Sequence, residues 1–62
     1  SEKDLSLLRL IAQGLSNDEI SEEMNFTSAT VKSYVSRLVS RLDVRDRAQL
    51  VIFAYQNGVV GD

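Results

Sequence analysis

The stretch SATVKSYVSRLVSRL, residues 28–42, most constrains the fold of this 62-residue chain, because its apolar residues recur at helical spacing. Those apolar residues, which share about 60° of arc on a helix, are Val31, Val35, Leu38 and Leu42. The opposite side carries a small-residue ridge made of Ala29, Ser33, Ser36 and Ser40. Lys32 flanks this ridge on one side, and Arg37 and Arg41 flank it on the other. The stretch therefore predicts a helix with a packed inner face and a narrow polar outer face.

Capping residues and glycines predict three further helices. The first runs over about residues 2–13 and is ended by Gly14, which accepts a left-handed conformation. The second is short and ends near residue 24, and the fourth runs over about residues 47–57. The expected N-caps of the four helices are Ser1, Ser16, Thr27 and Asp46. Because only about three residues connect the second and third helices, these two must cross steeply, as in a helix-turn-helix.

The net charge of −2 conceals an uneven distribution of charges. Residues 1–24 contain six acidic and two basic residues, whereas residues 25–62 contain five basic and three acidic residues. The five basic residues all lie between positions 32 and 47, which is the clustering that binding to a polyanion requires. The alternative, that they are solvated charges on helix surfaces, stays open on charge alone.

The third helix meets the requirements for entering a DNA major groove. The groove is about 12 Å wide, so a ridge of small residues lets the helix approach the base edges. Serine hydroxyls can bond base edges or phosphates, Lys32 can donate to a guanine edge, and Arg37 and Arg41 can reach a strand backbone. The sequence thus predicts an all-α fold, a four-helix helix-turn-helix domain over residues 1–62 with the third helix as recognition helix.

Catalysis, metal binding and membrane insertion are not expected. The chain has neither histidine nor cysteine, so the commonest general base and the usual metal ligands are missing. Glu22 and Glu23 point about 100° apart on a helix and do not converge on a substrate. No glycine-rich phosphate loop occurs, and no apolar run approaches the roughly 18 residues that span a bilayer. We therefore expect no enzyme activity and no cofactor.

The fourth helix has a second apolar face that suits a protein partner. This face comprises Gln49, Ile52, Phe53 and Gln56. A large apolar pair in water is unfavourable, so it is expected either to bind a partner or to cover part of the first helix. An alternative function follows: an interaction module that uses this face together with the acidic second helix.

The segment GLSNDEISEEMNFTSATVKSYVSRLVSRLDVRDRAQL resembles the LuxR/NarL-type (GerE-like) helix-turn-helix domain of bacterial transcription regulators. The residues that match the pattern of that family directly are Gly14, Ser16, Asn17, Glu19, Ile20, Thr30, Val31, Lys32, Leu42, Arg47 and Val51. The fit spans about positions 1 to 57 and is most like the output domain of a two-component response regulator. The resemblance implies a DNA-binding fragment of a longer cytoplasmic bacterial protein, with an N-terminal receiver or sensor domain.

The resemblance also implies roles for individual residues. Base contacts fall on Lys32, Ser33 and Ser36. Contacts to the sugar-phosphate backbone of DNA fall on Asn17, Thr27, Ser28, Thr30 and Arg41. Arg37 is added to this set because it flanks the small-residue ridge. The face of the fourth helix defined above corresponds to the usual dimer surface, which implies a homodimer on an inverted repeat.

Two departures from the family pattern bear on this site. Asp18 stands where the family prefers lysine, so one contact to the DNA backbone is expected to be lost or reversed in sign. Tyr34 replaces the common histidine and is expected to pack under the second helix or to donate to a phosphate.

Overall fold

The computed structural model describes residues 2–60, which form four helices and, within that range, no strand. The helices are α1 (Glu2–Ala12), α2 (Asn17–Met24), α3 (Ser28–Arg41) and α4 (Arg47–Gln56). The all-α prediction is confirmed, and each helix ends within about a residue of its expected end. The cap expected at Ser1 lies outside the described residues. None of the helices described has the length and apolar character needed to cross a bilayer.

Local capping fixes the turn between α2 and α3. Ser16 and Glu19 form a reciprocal capping box at the start of α2, with nitrogen–oxygen distances of 3.2 and 2.8 Å. Asn25 ends α2 in the left-handed conformation at φ 61°. The Thr27 hydroxyl then accepts a hydrogen bond from the Thr30 amide at 3.1 Å and caps α3. The short connection expected of a helix-turn-helix is therefore present.

One hydrophobic core joins the four helices. Its buried members are Leu7, Leu8, Ile11, Ala12, Ile20, Val31, Leu38, Leu50 and Ala54. Helix α1 packs mainly on α4, and α2 packs mainly on α3. Val31 and Leu38 are at most 3% exposed, so the expected inner face of α3 is confirmed. Since the core holds the inner face of α3, the opposite face points away from the protein.

Candidate nucleic-acid interface

The outer face of α3 has the predicted form. All members of the small-residue ridge are exposed, and so are Lys32, Arg37 and Arg41 on its two flanks. Ser36, Arg37, Ser40 and Arg41 line a shallow depression on this surface. Because the ridge side chains are short, an approaching ligand would come close to the backbone of α3. The longer basic side chains on the two flanks would then extend alongside that ligand.

The three residues expected to read bases are free to make contacts. Lys32, Ser33 and Ser36 are exposed, and none of them forms a side-chain hydrogen bond or ion pair with another residue within 2–60. Their donors therefore face water, which a ligand can replace without breaking a contact inside the protein.

The N-terminus of α3 is an ordered polar site. The Thr27 hydroxyl caps the helix and also donates to the Thr30 hydroxyl at 2.9 Å. The backbone amides in the first turn of a helix carry partial positive charge and attract anions. The two threonines expected to contact a backbone thus lie at the end of α3 where a phosphate is favoured.

A carboxylate also lies at this end of α3. The Ser28 hydroxyl donates a hydrogen bond to the Asp18 carboxylate, which comes from the first turn of α2. The negative charge stabilises the positive end of α3 in the free protein. It would also repel a phosphate that approached Ser28, as expected where an acidic residue replaces lysine.

Asn17 is held by a residue whose role the sequence did not reveal. Arg47, half-buried at the start of α4, donates to the Asn17 amide oxygen and to the Leu15 carbonyl, both at 2.6 Å. This Arg47 clamp ties α4 to the beginning of α2, and it leaves the amide nitrogen of Asn17 available as a donor. Arg47 matched the family pattern, but its contacts about 30 positions away could not be inferred from the sequence.

The arginine flank of α3 is positioned by α1 and by an aromatic ring. Arg41 forms an ion pair with Asp4 of α1, and its side chain remains 58% exposed. The guanidinium carbon of Arg37 lies 5.4 Å from the centre of the Tyr34 ring, within the range of a cation–π contact. Both arginines are therefore oriented before any ligand arrives.

Tyr34 packs on the turn between α2 and α3. Its ring meets that of Phe26 edge to face, with the centres 5.4 Å apart and the planes at 64°. Lys3 from α1 places its ammonium nitrogen 5.5 Å from the centres of both rings. Tyr34 thus contacts Phe26 in the turn that follows α2. Its two expected roles, packing under α2 and donating to a phosphate, stay predictions. Lys3 was not predicted to lie near α3.

The second face of α4 is only partly covered. Ile52 is 49% exposed, and Gln49 and Gln56 are exposed beside it. Phe53 is half-buried and lines an apolar groove with residues of α1 that include Leu5. Phe53 thus lies against α1, as one of the two sequence interpretations expected. Ile52 faces solvent, and its binding to a partner stays a prediction.

Comparison with known proteins identifies relatives over nearly the whole chain. Residues 1–54 match the family described as bacterial regulatory proteins, luxR family. The chain is 43% identical over 60 residues to the response regulator protein VraR of Staphylococcus aureus, and equally so to those of Staphylococcus saprophyticus and Staphylococcus epidermidis. These alignments cover 97% of this chain and 29% of each relative, so the chain spans less than a third of the relatives' length.

Proposed function

The chain belongs to the luxR family of bacterial regulatory proteins, and we propose that it regulates transcription by binding double-stranded DNA through α3. The observation that carries the proposal is the outer face of α3, where unengaged polar side chains lie between basic flanks. This helix is the second of a pair joined by a three-residue turn, which is the arrangement that places a helix in the major groove.

Base recognition in this proposal belongs to three residues near the middle of α3. Lys32 donates to acceptors on a guanine edge, and the hydroxyls of Ser33 and Ser36 donate to or accept from neighbouring bases. Their lack of partners within the described residues supports this role, because binding replaces only water.

Backbone contacts surround the base-reading residues. Asn17 and the threonines at the start of α3 would contact one strand, while Arg37 and Arg41 would contact the other. The Ser28 side chain can contribute only if its hydroxyl leaves Asp18, because a phosphate accepts hydrogen bonds and has no proton to donate.

Dimerisation would add affinity for DNA beyond that supplied by the contacts of a single copy. We infer that two copies pair through Gln49, Ile52, Phe53 and Gln56 and place their α3 helices in successive major grooves of an inverted repeat. Exposure of Ile52 supports this pairing. The VraR relatives carry the name response regulator and are more than three times as long as the match, which supports an N-terminal receiver domain in the complete protein.

The first test is DNA binding measured by fluorescence anisotropy at several salt concentrations, with Lys32→Ala as the variant. Binding should weaken steeply with salt, and the variant should lose about 1–3 kcal/mol on a preferred sequence, as expected for one base contact. Glu23→Gln, an exposed change on α2, serves as control. Salt-independent binding, or equal affinity of Lys32→Ala and the wild type, would contradict a groove-reading α3.

A protein-interaction module is the second candidate, favoured by the exposed acidic side chains of α2. These are Asp18, Glu19, Glu22 and Glu23. An amide NMR titration with duplex DNA separates the two functions. DNA binding predicts shifts over residues 27–41, whereas an interaction module predicts none there.

A further inference from the structure

Lys3 of α1 lies beside the recognition helix, in contact with two aromatic rings. Its ammonium nitrogen is 5.5 Å from the centres of Phe26 and Tyr34, and the guanidinium of Arg37 approaches the same Tyr34 ring at 5.4 Å. Two cations from helices far apart in sequence therefore share one tyrosine. This juxtaposition was not visible in the sequence.

The position of Tyr34 on α3 locates Lys3 relative to the ridge. Tyr34 lies about 60° around the helix from Arg37 and about 20° from Arg41, on the side opposite Lys32. Lys3 thus extends the arginine flank from α3 onto α1. When the ridge enters a groove, this flank faces one strand of the duplex.

The ammonium group of Lys3 has hydrogen-bond donors that are not used within residues 2–60. Lys3 is exposed, and within residues 2–60 no oxygen accepts a hydrogen bond from it and no carboxylate pairs with it. Contact with ring faces satisfies its charge only in part. The ammonium group can therefore still donate to an anion such as a phosphate without giving up a contact to a carboxylate.

We propose that Lys3 contacts a backbone phosphate on the same DNA strand as Arg37, held in place by Phe26 and Tyr34. The inference rests on the proposed function and adds to it a contact from α1, outside the helix-turn-helix. The aromatic pair fixes the direction of a side chain that would otherwise be mobile, so less conformational entropy is lost on binding.

The test is the salt dependence of DNA binding by the chain, with a random-sequence duplex of about 30 base pairs as probe. Each phosphate contact contributes about 0.9 to the slope of log Kd against log salt concentration. Lys3→Met keeps the apolar stem against the rings but removes the charge. It should lower the slope by about 0.9 and weaken binding about eightfold at 0.1 M salt.

Three variants control for charge and for packing. Arg9→Met removes an equal charge from α1 at an exposed position beside Glu23 and Met24, and it should leave the slope unchanged. Lys3→Arg keeps the cation and should retain the wild-type slope. Lys3→Gln tests the result with a different uncharged side chain. Its salt slope and its affinity should fall as much as those of Lys3→Met.

A solely structural role for Lys3 gives a different pattern. Lys3→Met would then lower the melting temperature but leave the salt slope unchanged, and the proposal would be overturned. An equal slope change in Arg9→Met would also overturn it, because the effect would be one of net charge. If the wild type shows no salt-dependent binding, the proposed function fails together with this inference.

Discussion

Replacing Arg47 by methionine should destabilise the domain strongly although the residue is neither in the hydrophobic core nor in the proposed base-reading set. The substitution removes the two hydrogen bonds of the Arg47 clamp, to Asn17 and to Leu15, each 2.6 Å long. Hydrogen bonds from charged donors contribute about 1.5–3 kcal/mol each, and the half-buried site reduces that value. We expect a total loss of about 2–3 kcal/mol.

That loss is large for a domain of this size. At about 0.05–0.15 kcal/mol per residue, the free energy of unfolding is roughly 3–9 kcal/mol. The melting temperature should fall by about 10–20 °C, since about 4–8 °C corresponds to each kcal/mol in a small domain. Urea unfolding followed by circular dichroism at 222 nm measures the free energy directly.

Arg45→Met is the matched control for Arg47→Met. Arg45 is exposed and has no side-chain partner among residues 2–60, so its loss removes the same charge without the clamp. Arg47→Lys should recover part of the stability, because a single ammonium cannot reproduce the fork of the guanidinium. If the free energies of unfolding of Arg47→Met and Arg45→Met differ by less than about 0.5 kcal/mol, the clamp does not stabilise the fold as argued.

Two further predictions concern the proposed complex. Asp18→Asn should increase DNA affinity about threefold or more in the anisotropy assay at low salt, because it removes a negative charge from the N-terminus of α3; an equal gain in Glu23→Gln would show that only net charge matters. Ile52→Asp should abolish cooperative DNA binding and dimerisation, measured by sedimentation equilibrium, while circular dichroism stays unchanged; a variant that remains fully cooperative would exclude this surface of α4.

Local patterns in the sequence were sufficient to predict the helices and the orientation of α3. The spacing of Val31 and Leu38 identifies the buried side because helical periodicity alone decides which residues share a face. The caps at Ser16 and Thr27 are recognisable because their partners are three residues away.

Contacts between distant residues were not predictable in the same way. The Arg47 clamp spans about 30 positions, and the pairing of Arg41 with Asp4 spans 37. Whether exposed charged side chains meet depends on how far α1 and α4 are rotated about their axes, and hydrophobic periodicity leaves that rotation uncertain by tens of degrees. For the same reason the sequence could not separate Phe53, which is half-buried, from Ile52, which is exposed.

The ion pair of Arg41 with Asp4 lowers the contribution that a contact from Arg41 to DNA could make to the free energy of binding. An arginine that leaves a carboxylate for a phosphate exchanges one ion pair for another, and exposed pairs contribute only about 0–1 kcal/mol. The net gain in the free energy of DNA binding is therefore close to zero. Such a contact would fix the register of the protein on the duplex but would add little affinity. Lys32, Ser33 and Ser36 give up only water, so preference for one sequence over another would come from them.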